Sequence, residues 1–515
     1  MKQQGILKVQ SPATGEFFAE MFETTIEETS FIYEKSRKAF PTWSTMTIDE
    51  RLVYFHNLRR IMVEQMDDLA KKISLDTGKV KLEALVADIM PVLDFLKSLD
   101  KTAKKTLVRQ KVSTPLLLMG KKSYIEYMPR GTVLVISPWN YPFQLAMIPI
   151  LSALVGGNCV ISKPSEVTPF VGKVMEDLFK LAEFPEGVVS FAHGGKELGA
   201  TLTEHGPDYI FFTGSVRTGK IIGQVAAKKL IPTTLELGGK DPMIVLSDAH
   251  LKRAAKAAVW GAFTNSGQVC MSVERVYVDR SVYNEFLRLV KVEVSQMKQG
   301  QSNSDDVGSM TFPAQIDIVR NQIEDALSQG ATLETGIEPR HWKEGEMHVP
   351  MMVLSNVYKG MKVLNEETFG PIMPIVPFDT VEEVISLAND SEYGLNASVW
   401  SKNIQLAQTV ASQIVSGAVV INDVIVTAAN HHLPFGGAKQ SGVGRYHGEA
   451  GLKIFCHEKA VMVDSGWKSS EIQWYPYHGK YELFLSLFKS YFKDRVNWFT
   501  FLQSFQKLIK LSKNK

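Results

Sequence analysis

The stretch that decides the fold is Gly131-Thr-Val-Leu-Val-Ile-Ser-Pro-Trp-Asn140-Tyr-Pro-Phe-Gln-Leu-Ala-Met-Ile-Pro-Ile150-Leu-Ser-Ala-Leu-Val-Gly-Gly-Asn-Cys-Val160-Ile-Ser162, which contains no charged residue. A membrane span needs about 20 uninterrupted apolar residues, and proline, tryptophan and amide side chains interrupt this run. It divides instead into an apolar strand at 132–136, a polar turn, an apolar helix near 145–155 and a second strand at 159–162. Because both strands are apolar throughout, the pattern predicts a βαβ unit that is buried on both faces.

The composition of the whole chain is ordinary for a soluble globular protein, with 45% hydrophobic and 22% charged residues. Its 515 residues exceed what one hydrophobic core usually serves, so two or three domains are expected. A formal net charge of +2 gives no general attraction to nucleic acid. Three cysteines without a CxxC pair exclude a disulfide framework and a zinc ribbon and favour a reducing compartment. Residues 1–5 lead into no apolar segment, so we expect a cytoplasmic protein without a secretory signal.

The rest of the chain alternates between helices and strands. Residues 26–99 have apolar side chains at three- and four-residue spacing, which predicts helices. Residues 107–128 alternate as strands do, with a hairpin turn at 120–122. Strand–helix alternation starts at Gly131 and continues beyond Glu236, and a second α/β run covers 241–420. This order is typical of an α/β fold with a doubly wound parallel sheet.

One cysteine is a candidate nucleophile. Cys270 follows a Gly-Gln turn in Phe263-Thr-Asn-Ser-Gly-Gln-Val-Cys270-Met-Ser-Val-Glu-Arg275. Taken alone, it leaves two interpretations open, because free cysteine is both a frequent core residue and a reactive thiol. A catalytic interpretation requires a base and a group that stabilises negative charge.

Two polar residues in apolar surroundings meet those requirements. Glu236 lies in Leu235-Glu-Leu-Gly-Gly-Lys240, a setting that raises the pKa of a carboxyl and suits it to general-base work. The alternative for Glu236 is a buried structural carboxylate paired with Lys240. Asn140 offers a side-chain amide at the carboxyl end of the first strand, where the active sites of open α/β sheets gather.

Several segments together resemble the aldehyde dehydrogenase superfamily over roughly residues 11–463. They are PATGE at 12–16, PWN at 138–140, SKPSE at 162–166, FTGS at 212–215, LELGGK at 235–240, GQVC at 267–270, EETFGP at 366–371 and PFGGAKQSG at 434–442. The resemblance implies that Cys270 attacks an aldehyde, and that the Asn140 amide and the Cys270 backbone N–H stabilise the oxyanion. It implies that Glu236 activates water to hydrolyse the resulting thioester.

The resemblance also implies a nicotinamide cofactor, although no GxGxxG fingerprint follows the first strand. Gly214, Ser215 and Gly219 would lie near the cofactor phosphates at a helix start. Lys163 and Glu166 would hold the adenosine ribose, and a carboxylate there favours NAD while leaving NADP possible. Glu367 and Phe369 would position the nicotinamide ribose and ring, and Trp139 would be a further cofactor-binding residue.

Two other functions compete with hydrolytic aldehyde oxidation. Relatives that pass the acyl group to coenzyme A resemble this pattern but lack the glutamate, so Glu236 argues against them. A non-catalytic derivative of the fold would have lost Cys270, Glu236 or Asn140, and all three are present. Pro149 replaces a lysine that many relatives use for proton exit, as in the fatty-aldehyde-like branch. Val269, Met271 and the loop 424–429 are largely apolar, which predicts a medium- or long-chain or otherwise apolar aldehyde.

The resemblance divides the chain into functional regions. It implies a split Rossmann-type NAD-binding domain at 1–109 and 130–238 and an α/β catalytic domain at 239–430. Residues 110–129 and 431–465 would form a small β-rich oligomerisation arm, joining 111–128 to the strand region near Val461. Strands added to a neighbouring sheet would make a homodimer or homotetramer.

The remaining histidines and cysteines favour structural roles. His431 and His432 have no third ligand at metal spacing, so we expect a polar loop and no metal site. Cys159 lies within a predicted central strand and is expected in the core. Cys456, beside His457, lies in the expected C-terminal strand region, and a structural role is preferred over a Cys–His pair.

The segment 466–515 differs from the rest of the chain. Aromatic residues recur at helical spacing from Tyr481 onward, and from Lys480 eight basic residues face two acidic ones, a net of +6. The longest uncharged run in this segment, 496–506, is too short to span a bilayer. The pattern predicts a pair of helices lying in the plane of a membrane surface. The alternative is docking on the protein's own surface or at a subunit interface.

Overall fold

The computed structural model describes residues 5–513. The prediction that no secretory signal begins at residues 1–4, and Lys515 of the basic tail, lie outside the described residues. The strands, numbered in chain order, are β1 Ile6–Gln10, β2 Phe17–Phe22, β3 Gln110–Val112, β4 Lys122–Pro129, β5 Thr132–Ile136, β6 Cys159–Lys163, β7 Val189–Phe191, β8 Tyr209–Thr213, β9 Thr233–Glu236, β10 Asp241–Val245, β11 Val273–Asp279, β12 Thr332–Thr335, β13 Met352–Ser355, β14 Ile372–Phe378, β15 Asn396–Trp400, β16 Ala418–Ile421, β17 Gly442–Val443 and β18 Cys456–Val463.

The α-helices are α1 Glu28–Thr45, α2 Ile48–Glu64, α3 Met66–Thr77, α4 Lys81–Glu83, α5 Met90–Thr106, α6 Gln144–Val155, α7 Pro169–Leu181, α8 Lys196–His205, α9 Val216–Lys228, α10 Leu251–Phe263, α11 Tyr283–Gln296, α12 Pro313–Ser328, α13 Lys362–Asn365, α14 Val381–Asn389, α15 Ile404–Ala411, α16 Gly448–Lys453, α17 Tyr481–Tyr491 and α18 Trp498–Lys513. A π-helix, Ala84–Ile89, joins α4 to α5. The helices expected within 26–99 are confirmed as α1 to α5.

The predicted βαβ unit is confirmed as β5, α6 and β6. The two strands pair in parallel, with Thr132 opposite Cys159, and every residue of both is buried. The sheet order is β17-β9-β8-β5-β6-β7, in which β17 alone among these strands runs antiparallel to its neighbour. Most residues of α6 are buried as well, which explains why the segment carries no charge. The carboxyl ends of β5, β6, β8 and β9 meet at one edge of this sheet.

The second α/β run is confirmed as a separate sheet of order β12-β13-β14-β11-β10-β15-β16. Each of the strands β13, β14, β11, β10, β15 and β16 pairs in parallel with the next in this order, and β12 is an antiparallel edge strand. Helices α10 and α11 pack on one side of it around a core that contains Met243, Phe263 and Phe286. The chain enters this sheet at Asp241, five residues after β9 ends.

A small sheet of order β18-β4-β3 joins the strand near Val461 to the 110–129 segment, as the sequence predicts. The connection between β3 and β4 is longer than the expected turn at 120–122. It contains a 3₁₀ turn, Leu116–Leu118, before β4 begins at Lys122. Leu116 and Leu117 pack against the C-terminal helices, and this apolar contact explains why the turn is extended.

The chain forms two compact units. One consists of Met1–Val108 and Tyr127–Glu458, and the other of Arg109–Glu126 and Lys459–Lys515. In the second unit α17 and α18 pack on each other through buried Leu487, Phe501 and Leu508. The predicted pair of tail helices is therefore confirmed. Across residues 5–513, none of the helices combines the length and apolar character needed to cross a bilayer.

Candidate active site

Cys270 lies in a loop with unusual backbone geometry. The loop follows α10 and holds Asn265, Ser266 and Gly267 in the left-handed region, with φ angles of 50°, 56° and 71°. Such angles are strained for residues other than glycine, and surrounding contacts must maintain them. The Gln268 side chain supplies two, accepting from Thr311 N at 2.8 Å and donating to Asn265 O at 2.8 Å. The loop therefore presents its cysteine in a defined position.

Exposure separates the three cysteines. Cys159 and Cys456 are buried, as expected of core residues, while Cys270 is partly exposed. The Cys456 thiol donates to the Leu452 carbonyl oxygen at 3.9 Å, which accords with the structural role preferred for it. Cys270 is thus the cysteine that a substrate can reach.

Asn140 is connected directly to the loop of Cys270. It follows β5 and is buried, and its Nδ2 donates to Gln268 O at 3.0 Å. Its backbone oxygen accepts from Asn265 Nδ2 at 3.0 Å. These contacts tie the amide to the backbone two residues before the thiol, although its role in stabilising an oxyanion stays a prediction.

Glu236 ends β9 with its carboxylate enclosed. Both oxygens are buried without a hydrogen-bond partner in the described part of the chain, and burial raises the pKa well above its ordinary value, opposed by Arg445. The alternative pairing with Lys240 is wrong, because Lys240 Nζ donates to Glu274 Oε2 at 2.6 Å and to Thr368 Oγ1 at 2.8 Å. Within the described residues, both carboxyl oxygens of Glu236 are therefore left without a protein donor.

The Cys270 thiol lies in an environment that disfavours the thiolate. Burial of the sulfur raises its pKa, and the charges of Asp241, Glu367 and Glu236 raise it further. These surroundings favour the protonated thiol over the thiolate, so a base must take the proton before the sulfur can attack.

Gly239 permits the close approach of the segment after β9 to the loop of Cys270. A Cβ atom at Gly239 would lie 2.1 Å from the Cys270 carbonyl oxygen, so no larger residue fits. Its N–H donates to Glu367 Oε1 at 2.9 Å, and burial raises the pKa of Glu367 to about 8. The segment after Glu236 thus contacts both Cys270 and a predicted cofactor residue.

The predicted phosphate residues lie at the start of α9. Ser215 caps the helix by accepting from Thr218 N at 3.3 Å, and Gly214 N donates to Glu236 O at 3.0 Å. A Cβ at Gly219 would lie 2.5 Å from the Leu237 side chain, so the helix packs closely on the sheet. The first turn of α9 contains no acidic residue, and a helix N-terminus of this kind attracts phosphate.

The other predicted cofactor residues occupy the same sheet edge and its neighbourhood. Lys163 Nζ, buried at the end of β6, donates to Glu166 Oε2 at 2.6 Å. The rings of Trp139 and Phe369 meet edge to face with centroids 5.3 Å apart. The chemistry of these groups suits a dinucleotide: the capped start of α9 suits its phosphates, the lysine–carboxylate pair its ribose and the aromatic pair its rings. The role of each residue stays a prediction.

The sequence pattern does not single out three ionisable residues of this region: Lys79 and Asp88, which are buried, and Glu83, which is half-buried. Lys79 and Asp88 are nine residues apart, which places them on opposite faces of an α-helix at about 100° per residue. Their pattern therefore gave no reason to group them. The only signal was charge within an otherwise amphipathic helical segment.

The two adjacent histidines belong to a packed loop. His431 Nδ1 lies 3.1 Å from Asp94 Oδ2. The His431 ring contacts the His432 ring in a tilted arrangement, with centroids 4.2 Å apart. His447, which follows Tyr446, is buried, and burial lowers its pKa to about 3. Within residues 5–513, no cluster of three or more metal-ligating side chains occurs.

Comparison with known proteins agrees with this geometry. The model of the aldehyde dehydrogenase family matches residues 1–461. The chain is 45% identical over 444 residues to a 4,4'-diapolycopene aldehyde oxidase from Methylomonas sp, covering 86% of this chain and 83% of the relative. It is 33% identical over 456 residues to a 4,4'-diaponeurosporen-aldehyde dehydrogenase from Staphylococcus aureus, covering 88% of this chain and 98% of the relative.

A solved structure shares the fold. The NAD⁺ complex of an aldehyde dehydrogenase from Bacillus cereus superposes with a TM-score of 0.85 at 34% identity, covering 90% of this chain and 94% of that chain. The predicted α/β fold, the NAD(P) cofactor and the oxidation of an aldehyde to an acid are confirmed. Because the family model and these relatives cover most of its length, the chain belongs to the aldehyde dehydrogenase family.

Proposed function

We propose that the enzyme oxidises its aldehyde through a thioester on Cys270 that Glu236 then hydrolyses. The observation that carries this proposal is the Glu236 carboxylate, which is buried without a hydrogen-bond partner among the described residues. The segment that follows it packs at Gly239 against the backbone of Cys270. A raised pKa keeps a carboxyl close to the pH at which a general base works best. Groups with shifted pKa values that face each other are typical of catalytic sites.

In the first half of the reaction, Glu236 takes the Cys270 proton and the sulfur attacks the carbonyl carbon. The carbonyl π-electrons move to oxygen, and the Asn140 amide and the Cys270 N–H donate to that oxyanion. When bound, NAD would supply the acceptor for the hydride that leaves the substrate carbon. Re-formation of the carbon–oxygen double bond leaves an acyl group on Cys270.

Before the second half, Glu236 releases the proton taken from Cys270 to solvent and becomes a carboxylate again. It then accepts a proton from water while the water oxygen attacks the acyl carbon. The carbon–sulfur bond breaks, the carboxylic acid leaves, and the Cys270 sulfur recovers a proton. Transfer to coenzyme A is the competing fate of the acyl group, but a water-activating base beside the thioester works against it. Product analysis with and without coenzyme A tests the choice, and an acyl-coenzyme A product would reverse it.

We propose that Lys163 and Glu166 hold the adenosine ribose, that α9 receives the phosphates at Gly214 and Ser215, and that Glu367 and Phe369 position the nicotinamide side. Glu166 keeps a partly exposed carboxylate at the ribose position. A negative charge there repels a 2′-phosphate, so NAD is preferred over NADP. Competing titrations of the two nucleotides against the intact protein measure the preference.

The apolar surroundings of Cys270 support an apolar substrate. Val269 and Met271 are buried in a large hydrophobic cluster, and Tyr141, Ile425 and Ala428 pack against its edge together with Cys270. A long apolar aldehyde, of the kind named for the Methylomonas and Staphylococcus aureus relatives, gains from burying its chain there. Rates of NADH formation over a series of aldehydes should rise with chain length, and a preference for short polar aldehydes would contradict the proposal.

We propose that the small sheet of β18, β4 and β3 adds to a neighbouring subunit. An open edge strand of this kind pairs readily with another chain, and closed symmetric oligomers satisfy it. The regions 1–109 with 130–238, and 239–430, would then act as cofactor and catalytic domains of each subunit. A monomer in sedimentation at micromolar concentration would contradict the oligomer.

We also propose that α17 and α18 contact a membrane surface. Tyr481, Phe488 and Phe492 are exposed along α17 at seven- and four-residue spacing, which is one helical stripe. Phe499 and Leu502 are exposed on α18. Basic side chains interleave with these rings and are exposed: Lys489, Lys493, Arg495, Lys507 and Lys510. Aromatic rings among lysines suit an anionic lipid surface better than water.

Vesicles should therefore bind the intact enzyme and release it when the rings or the tail are removed. We expect full-length protein to co-sediment with vesicles of phosphatidylcholine and phosphatidylglycerol at low salt, and less at high salt, because the screening length is about 10 Å at 0.1 M. Deleting residues 481–515, or combining Phe492→Ser with Phe499→Ser, should abolish binding while turnover of a short soluble aldehyde persists. Leu230→Ser, which removes an exposed leucine elsewhere, is the matched control. Intact protein that ignores these vesicles at low salt would end the proposal.

A further inference from the structure

The segment from Lys79 to Asp88 contains two buried ionisable side chains, Lys79 and Asp88, and the half-buried Glu83, whose Oε2 atom is enclosed. None of the three takes part in the proposed reaction. Lys79 Nζ and Asp88 Oδ2 form an ion pair of 2.6 Å in which both side chains are fully buried. Desolvating such a pair costs several kcal/mol per ion, so it is weak evidence for stability alone. Its contacts indicate a positional role.

The Lys79–Asp88 pair holds the segment that contains Asn140. Lys79 Nζ also donates to the Asn140 backbone oxygen at 2.7 Å. Asp88 Oδ1 accepts from Phe143 N and Gln144 N, each at 3.2 Å, where α6 begins. The backbone on both sides of Tyr141 is therefore fixed by a single ion pair.

Glu83 holds the loop of Cys270 in the same way. Its Oε1 accepts from Asn265 N and from Thr264 Oγ1, each at 2.8 Å. Asn265 is the first of the three left-handed residues before the nucleophile, so Glu83 contacts the loop where its strain begins. The carboxylate thus offsets part of the cost of that backbone conformation.

The π-helix explains how one short segment reaches both places. In an α-helix, residues five apart point in directions that differ by about 140° at 100° per residue. A π-helix, with hydrogen bonds from residue i to i+5, has more residues per turn, so residues five apart point in more similar directions than they do in an α-helix. Glu83 and Asp88 flank and occupy the π-helix Ala84–Ile89 at this spacing. The π-turn therefore aims both carboxylates at the active-site loops.

We propose that Lys79, Glu83 and Asp88 form a positioning clamp that sets the Asn140 amide at its working distance from Cys270. The inference rests on the proposed roles of these two residues in the reaction. The clamp acts on the first half of the reaction, where the oxyanion must meet two donors at once. It touches neither Glu236 nor the predicted phosphate site in the described contacts.

Rapid mixing of enzyme, NAD and aldehyde tests the clamp through the first burst of NADH. Glu83→Leu removes the acceptor and should slow the burst rate constant roughly 10- to 100-fold, the scale of a small misplacement of a catalytic group. Glu83→Gln keeps an accepting oxygen and should restore the rate to within about threefold. Burst amplitude per folded protein and the NAD dissociation constant should not change. If Glu83→Leu folds poorly, Thr264→Val is the second variant to measure. It removes one of the two contacts of Glu83 and should slow the burst less than Glu83→Leu does.

A double-variant cycle separates positioning from general damage. In an Asn140→Ala background, Glu83→Leu should slow the burst by less than about twofold, because the Asn140 donor, to which Glu83 aligns the Cys270 loop, is gone. A reduced amplitude with a wild-type rate constant, or effects that multiply fully in the double variant, would overturn the clamp. A wild-type burst in Asn140→Ala alone would overturn the proposed oxyanion role, and the clamp with it.

Discussion

Cys270→Ala is expected to lower dehydrogenase turnover by roughly 10⁴-fold or more, the scale seen when a covalent nucleophile is removed. The reason is that hydride departs from a tetrahedral carbon bonded to sulfur, and alanine cannot form that bond. The fold and NAD affinity should persist, since Cys270 is partly exposed and its loop is held by the Gln268 side chain and Glu83. Steady-state NADH formation measures the loss of turnover, and titration with NAD measures the retained affinity.

Cys456→Ala is the matched control, because it removes a buried thiol that lies outside the proposed chemistry. It should retain most of the wild-type turnover and lose some thermal stability from the small cavity left behind. Turnover of Cys270→Ala close to that of this control would exclude a thioester on Cys270.

Glu236→Gln should produce one burst of NADH per active site and then stall. The acyl group still forms on Cys270, but its hydrolysis loses the base, and such a loss is about 10²-fold or more. Acid quenching should trap an acylated protein detectable by mass spectrometry. Because Glu236 also takes the thiol proton in the proposed mechanism, the burst of the variant should be slower than that of the wild type. Raising the pH should restore the burst before it restores turnover.

The matched control for this change is Glu285→Gln, which alters an exposed carboxylate paired with Arg288. It should leave both the burst and the steady state unchanged. Full steady-state turnover by Glu236→Gln would show that another group activates water, and Glu367, whose pKa is raised to about 8, would be the next residue to test.

The fold could be predicted from the sequence where patterns are local. The charge-free run around β5, α6 and β6 has a single sensible arrangement, because strands apolar throughout must be covered on both faces. Cys270, Glu236 and Asn140 could be proposed because each lies in a short motif with its own chemical logic. Their roles still rest on that logic and on the family resemblance.

Contacts across long sequence separations could not be predicted in the same way. Lys240 was considered as a partner for Glu236 because it lies four residues away, yet it pairs with Glu274. Glu83 reaches Asn265 across 182 positions through a π-turn that no periodicity of the segment indicates. The extended turn before β4 depends on leucines that pack against helices far along the chain.

The partnerless carboxyl of Glu236 has a consequence for the resistance of the enzyme to heat. Burying a carboxyl without a hydrogen-bond partner costs about 1–3 kcal/mol, so Glu236→Met should raise the melting temperature of a protein that can no longer turn over. The folded pKa of Glu236 lies above its unfolded value. The free energy of unfolding of the wild type therefore falls as the pH rises from the unfolded pKa through the folded pKa. The gain on substitution should therefore grow toward alkaline pH, and selection for thermostability alone would favour removal of the proposed catalytic base.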